Sequence, residues 1–361
     1  MPPDYTEGLR YGHAVALDGD WIAVGAPSPG GTGAVYLYHA TGAGSWELHS
    51  TLTVDEEIGD RFGSAVAVSG NRIIVGAPGA NQSAGAVYVF TVSDAPGVWD
   101  VYGPISGPTV PQSGFGNTIA FDGGVLAVGS VFEDMHNGAV YIFEPDGDAW
   151  SLDQRISKPR GDIPLGFGAA LAIAGDSLFI GANVYDARGT VYLYTRSGVG
   201  AEWQELQRIG QGVFNENYGR ALAFEDPWLV VGGVGFDDFG GRISLYRRNG
   251  SGWSLTDTFA SSEAEVLFGR YVDVSGGIVA STTPRGAHGY GSVTILSIDS
   301  NSGELAEELV LESPIEGFEA VTGARRECVG GTAAGFQCGS VDLMSFLTIE
   351  DIGGPGRVND V

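Results

Sequence analysis

An aromatic residue followed by glycine returns along this chain at near-constant spacing, and few folds accept such a pattern. The pairs are Tyr11-Gly12, Phe62-Gly63, Phe115-Gly116, Phe167-Gly168, Tyr218-Gly219 and Phe268-Gly269. Phe318 follows at the same interval, and the steps are 51, 53, 52, 51, 50 and 50 residues. A fixed period of this length marks stacked supersecondary units, none of which can bury its own apolar faces. Each pair opens the same series. First comes a short apolar run, as in Ala14-Val15-Ala16-Leu17 and Ala65-Val66-Ala67-Val68. Next is a tight turn with glycine, Asp18-Gly19, Ser69-Gly70, Asp122-Gly123, Ala174-Gly175 or Ser275-Gly276. A second run ends in glycine (Ile22-Ala23-Val24-Gly25, Ile73-Ile74-Val75-Gly76), and a variable loop leads to a third (Gly33 to Tyr38, Gly85 to Phe90). A segment opened by tryptophan closes the series, at Trp46, Trp99, Trp150, Trp203 and Trp253.

Each repeat therefore reads as four antiparallel strands, A to D, joined by turns. Strands A and B are apolar on both faces, which suits sheets covered on both sides by their neighbours. Polar residues return in strand D (Glu47, Asp153, Gln204), the outermost. The expected fold is all-β: a seven-bladed β-propeller of four-stranded antiparallel blades with a period of about 51 residues. It is expected to fill residues 1–347 as one domain, with blades opening near 11, 62, 115, 167, 218, 268 and 318. The seventh repeat is degenerate. Cys328-Val329-Gly330-Gly331 replaces the second run and no tryptophan follows Leu347. The tail, 348–361, is expected either to supply a closing strand or to be disordered.

Phe62-Gly63 followed by Gly76-Ala77-Pro78 resembles the FG-GAP signature of the integrin α-subunit head, and Tyr11-Gly12 with Gly25-Ala26-Pro27 is similar. Later copies decay, to Gly181-Ala182-Asn183 and Gly232-Gly233-Val234. The chain also resembles FG-GAP repeat surface proteins of bacteria and algae. That resemblance implies a seven-bladed propeller in a secreted or surface-displayed protein used for adhesion and recognition. Integrin-type blades carry an Asp-x-Asp-x-Asp-Gly calcium loop between strands A and B. Here the turns are only Asp18-Gly19-Asp20, Ser69-Gly70-Asn71, Asp122-Gly123-Gly124 and their equivalents. Calcium takes about six to eight oxygens from spaced ligands, and a two-residue turn cannot present them. No metal site is carried over and no cofactor is assigned. Calcium, Ca2+, stays open only in another arrangement.

Charge narrows the partners. The 44 acidic and 18 basic residues leave a net charge of −26, and Lys158 is the only lysine. Such a surface repels nucleic acid and anionic membranes. No apolar run reaches membrane-spanning length. Met1-Pro2-Pro3-Asp4 shows no signal peptide. The expected partner is a protein or glycan ligand at the cell surface, with this chain fitting as one part of a larger multidomain protein.

Variable loops on a rigid scaffold are where binding collects, so the face bearing the B–C and D–A loops is the candidate site. Its candidate ligand-binding residues are Glu133, Asp134 and His136, Asp186, Asp237 and Asp238, and Arg285 and His288. The acidic members suit a cation or a basic ligand; solvated surface charge is the alternative. Arg160-Gly161-Asp162, in the D–A loop before the fourth repeat, resembles an adhesion tripeptide that also arises by chance. Cys328 and Cys338 align with neighbouring strands B and C of the last repeat, within reach of a disulfide; two reduced thiols are the alternative. A disulfide would indicate an oxidising compartment. Nothing local proposes a nucleophile, base and acid, so no catalytic residue is assigned. Two functions remain: a non-enzymatic extracellular recognition, adhesion or structural module, or a carbohydrate-active propeller, either a lectin or a polysaccharide lyase or hydrolase.

Overall fold

A computed structural model of the chain describes residues 10–28, 31–42, 45–54, 60–92, 99–108, 110–147, 149–158, 165–184, 188–210, 216–235, 240–250, 252–261, 267–283 and 291–312, with two short strands beyond. The first blade comprises β1 (Ala14–Asp18), β2 (Trp21–Ala26), β3 (Ala34–Gly42) and β4 (Ser45–Leu52). The second holds β5 (Ala65–Ser69), β6 (Arg72–Ala77), β7 (Ala86–Val92) and β8 (Trp99–Ser106). The third holds β9 (Phe115–Asp122), β10 (Val125–Ser130), β11 (Ala139–Asp146) and β12 (Ala149–Ile156). The fourth holds β13 (Leu165–Ala174), β14 (Ser177–Val184), β15 (Thr190–Thr195) and β16 (Gln204–Ile209). The fifth holds β17 (Ala221–Glu225), β18 (Trp228–Gly233), β19 (Arg242–Asn249) and β20 (Gly252–Ala260). The sixth holds β21 (Val272–Ser275), β22 (Ile278–Thr283), β23 (Ser292–Ile298) and β24 (Leu305–Glu312).

Each blade pairs its strands antiparallel in chain order, and successive first strands touch one another, so strand A is innermost. Turn chemistry sets the A–B hairpins. Asp18 pairs with Trp21 across Gly19-Asp20, and Gly19 has φ of 55°. A glycine takes that left-handed conformation without a Cβ clash. The pairing of strands C and D shifts register at the same place in five of the six blades, for example between Leu37 and Tyr38 and between Leu245 and Tyr246, and slightly earlier, between Val87 and Val89, in the second. Such bulges increase the local twist.

The expectation of seven four-stranded blades is corrected: the described residues form six. Beyond Glu312 the described strands are only β25 (Thr332–Ala333) and β26 (Phe336–Gln337), a two-stranded ladder. The sequence there has exchanged the apolar B run for Cys328-Val329-Gly330-Gly331 and lost the D-strand tryptophan. Glycines weaken a strand, and the missing apolar side chains remove what would drive a sheet to pack.

The core lies between blades. Ile73 and Val75 of β6 pack with Val35, Leu37 and Phe62 toward the first blade, while Ile74 packs with Leu126 and Val128 toward the third. Period-two alternation thus buries both faces of one strand. The aromatic-Gly pairs lie at these seams. Phe62 is 0% exposed, and its backbone bridges Gly33 of the preceding blade; Phe115, Tyr218 and Phe268 repeat that bridge with Gly85, Gly189 and Gly241. A Cβ on Gly25 would overlap the Gly63 carbonyl, and Gly76 stands in the same relation to Gly116. The first glycine of Gly-Ala-Pro and the glycine of Phe-Gly are the two sides of one backbone contact between neighbouring blades.

Candidate functional site

The second and third blades build a cleft of about 1190 Å³ on the face bearing the B–C and D–A loops. Its walls are two equivalent B–C connections. Gly79 to Gly85 and Phe132 to Gly138 each contain a short helical segment, Ala80–Ser83 and Glu133–His136, whose central residues lie in the left-handed region. Asn81 (φ 53°, ψ 50°) and Gln82 (φ 61°, ψ 38°) match Asp134 (φ 51°, ψ 55°) and Met135 (φ 56°, ψ 46°). Left-handed conformation costs about 1–2 kcal/mol per non-glycine residue, so these turns hold only because their ends are fixed. Ser83 N–H donates to the Gly79 carbonyl at 2.9 Å, and Gly138 N–H donates to that of Glu133 at 3.0 Å. The D–A loop between the blades ties on through Gly114 N–H to the Ser83 carbonyl at 3.0 Å and Phe132 N–H to that of Ser113 at 3.0 Å.

This geometry sends adjacent side chains in different directions. Glu133, 8% exposed, turns inward. Arg155 of β12 donates to Glu133 Oε1 from Nη2 at 2.6 Å and from Nε at 3.1 Å, while the Tyr141 hydroxyl donates to Oε2 at 2.9 Å. Partial burial disfavours the Arg155 charge, but the hydrogen bonds with Glu133 and Tyr141 outweigh it and raise its pKa. Met135 points out at the tip, 86% exposed, and the His136 ring meets the Phe132 ring edge-on at 5.6 Å. Lys158 is 3% exposed; Nζ donates to Asn137 Oδ1 at 2.8 Å, and Asn137 Nδ2 returns a bond to the Lys158 carbonyl at 3.3 Å. The cleft thus presents Arg61, Arg155 and Lys158 against Glu133 and Asp134.

Of the residues singled out in the sequence, Glu133, Asp134 and His136 fall on this cleft. Glu133 is spent on Arg155 and Tyr141. Among the described residues, no three His, Cys, Asp or Glu side chains converge as a metal site. Asp186, Asp237, Asp238, Arg285, His288, the Arg160-Gly161-Asp162 tripeptide, and Cys328 with Cys338 lie outside the described residues. Sequence reasoning missed Arg155, Asn137 and Lys158. Lys158 carried a signal: a sole lysine in so acidic a chain. Tyr141 of β11 is buried in the core, yet its hydroxyl serves Glu133.

Comparison with known proteins agrees with this architecture. The family model described as FG-GAP repeat matches residues 1–38 and 46–90. Solved structures are similar in fold alone. A protein from Lactobacillus plantarum matches at 16% identity with a TM-score of 0.58, over 82% of this chain and 84% of that one. A putative 6-phosphogluconolactonase from Bacteroides uniformis matches at 12% identity with a TM-score of 0.56, over 82% and 83%. The first two repeats are thus similar to FG-GAP repeats, and the inter-blade glycine contacts continue that signature into the later blades of this β-propeller.

Proposed function

We propose that this propeller is a non-catalytic recognition module working at a cell surface or outside the cell, and that the cleft between its second and third blades holds the ligand. The single observation that carries this reading is the cleft itself: two strained B–C turns, fixed at their ends, face one opening. Backbone strain of this kind persists where surrounding structure over-determines it and clusters at binding sites. The lining offers planar charged and amide groups beside an aromatic ring (Arg155, Asn137 and Gln112 beside Phe132). Those groups suit either an exposed protein loop or a polar glycan.

The glycan reading has one observation in its favour. Planar hydrogen-bonding side chains next to an aromatic ring are how protein sites grip sugar hydroxyls and ring faces. A combined glycan and peptide array, with a screen for polysaccharide degradation, separates the two. Retention without turnover, weakened by Asp134→Ala or Lys158→Met, supports a recognition module. Turnover of any polysaccharide overturns the non-catalytic reading, and retention indifferent to both substitutions overturns the cleft.

A further inference from the structure

We propose that the mouth of the central channel is an oxyanion site, where Arg220 and Arg270, with Arg10, His13 and Arg61 around them, hold a sulfate, phosphate or carboxylate group. The residue after each aromatic-Gly pair occupies one equivalent place, leading into the innermost strand. Around the six blades it is His13, Ser64, Asn117, Ala169, Arg220 and Arg270. The innermost strands β1, β5, β9, β13, β17 and β21 contact one another in succession, so these six positions follow one arc around the end of the channel that carries the D–A and B–C loops. None of the six is acidic, although the chain has 44 acidic residues against 18 basic. Arg10 and Arg61 stand just before the pairs of the first and second blades.

The charges of four arginines from four blades act on His13. Partial enclosure, then Arg10, Arg61, Arg220 and Arg270, hold the His13 imidazole below its ordinary pKa. Charges of the first and fifth blades act on one another in this way only across the axis. Arg155, Arg196, Arg208, Arg242 and Arg248 each have a carboxylate partner, while among the described residues Arg72, Arg188 and Arg247 stand apart without one. Among the described residues, Arg10, Arg61, Arg220 and Arg270 have none. Arg220 is half-buried, and burial together with Arg270 lowers its pKa. Like charges brought together out of water repel one another and lose hydration. A doubly or singly charged oxyanion offsets both, and guanidinium forks match its geometry. The site shares only Arg61 with the cleft and does not depend on it.

The test is NMR of the histidine rings, with His13 assigned through His13→Gln. Sodium sulfate, phosphate and glucuronate are titrated in turn against sodium chloride at matched ionic strength. The site predicts a saturable shift of the His13 ring and a rise of its pKa with at least one oxyanion. Response to inorganic sulfate or phosphate identifies a free-ion site, whereas response to glucuronate alone identifies an acidic-sugar site. Arg220→Gln weakens binding about tenfold, the loss expected for one charge-assisted hydrogen bond. Lys158→Met leaves it unchanged. A His13 ring that responds to no oxyanion beyond the chloride control in the wild-type protein overturns the proposal. So does undiminished binding in folded Arg220→Gln/Arg270→Gln protein.

Discussion

The side-chain amide of Gln207 holds both backbone polar groups of Trp253 in the next blade. Its Nε2 donates to the Trp253 carbonyl at 3.1 Å, and the Trp253 N–H donates to its Oε1 at 3.0 Å. Gln154 holds Trp203 in the same way, at 3.0 and 2.7 Å. In the following blade Asp257 Oδ2 accepts from the Leu305 N–H at 2.7 Å. Each clamp residue lies four positions after the opening residue of its own D segment, Trp150, Trp203 or Trp253. The clamp pairs the backbone of an outer strand that no further strand covers. Gln207→Ala leaves both Trp253 groups without this partner and is expected to lower stability by about 1–3 kcal/mol. Gln207→Glu keeps the acceptor and loses the donor, so it should fall between. Urea unfolding of the three proteins reads the order directly.

The glycine contacts predict a contrast between two alanine substitutions. Gly76 has ordinary strand dihedrals, but a Cβ there would overlap the Gly116 carbonyl of the next blade. Gly70 has φ of 57° with open space around it. Gly70→Ala should therefore cost only the left-handed penalty, about 1–2 kcal/mol. Gly76→Ala must push two blades apart and should cost more, at or above the 1–3 kcal/mol typical of overpacking. Equal melting temperatures for the two variants would contradict the close approach.

Alkaline stability follows from two buried phenols. Burial raises Tyr194 most, with the Glu205 charge adding, to about 12. Tyr141 is pushed to about 12 as well, by burial first, with Arg155 opposing and Glu133 reinforcing. Above the ordinary value of 10.0 the unfolded chain releases these protons while the folded one keeps them. Their contribution is present below pH 10.0 and is lost as pH climbs through about 12, at up to about 1.4 kcal/mol per pH unit for each group. Tyr194→Phe removes one such group and should flatten the decline. A variant that unfolds with the same alkaline slope as wild type would count against this assignment.

The inward turn of Glu133 makes Arg155 a structural partner before anything else. Arg155→Met strands a carboxylate that is 8% exposed and should destabilise the protein by about 1–3 kcal/mol. Replacing Glu133 by Gln in the same protein removes the stranded charge and should restore part of that loss, as measured by a double-mutant cycle.

Much of the blade was legible in the chain because one contact recurs. Phe62-Gly63 and Gly76-Ala77-Pro78 are seam residues, so their spacing displays the strand order, the two-residue turns and the apolar double faces. Six four-stranded sheets are described where the sequence holds seven aromatic positions at the repeat interval, and Phe318 keeps that interval without the apolar run and tryptophan of the other repeats. The site was less legible. Glu133, Asp134 and His136 stood out by type and loop position, but three left-handed residues in a row separate their directions, and no local motif encodes that. Arg155 and Lys158 reach the cleft from strand D and the loop after it, a meeting that only the folded blade creates.

Met135 offers the most direct test of the cleft as the binding site. It is one of three methionines and stands at the tip of the Glu133–His136 segment, 86% exposed. Methyl-labelled methionine gives a spectrum simple enough to follow during titration with any ligand retained on the arrays. A saturable shift of the Met135 methyl, lost in Asp134→Ala, is the expected result. Saturable binding that leaves the Met135 methyl unmoved would contradict the account.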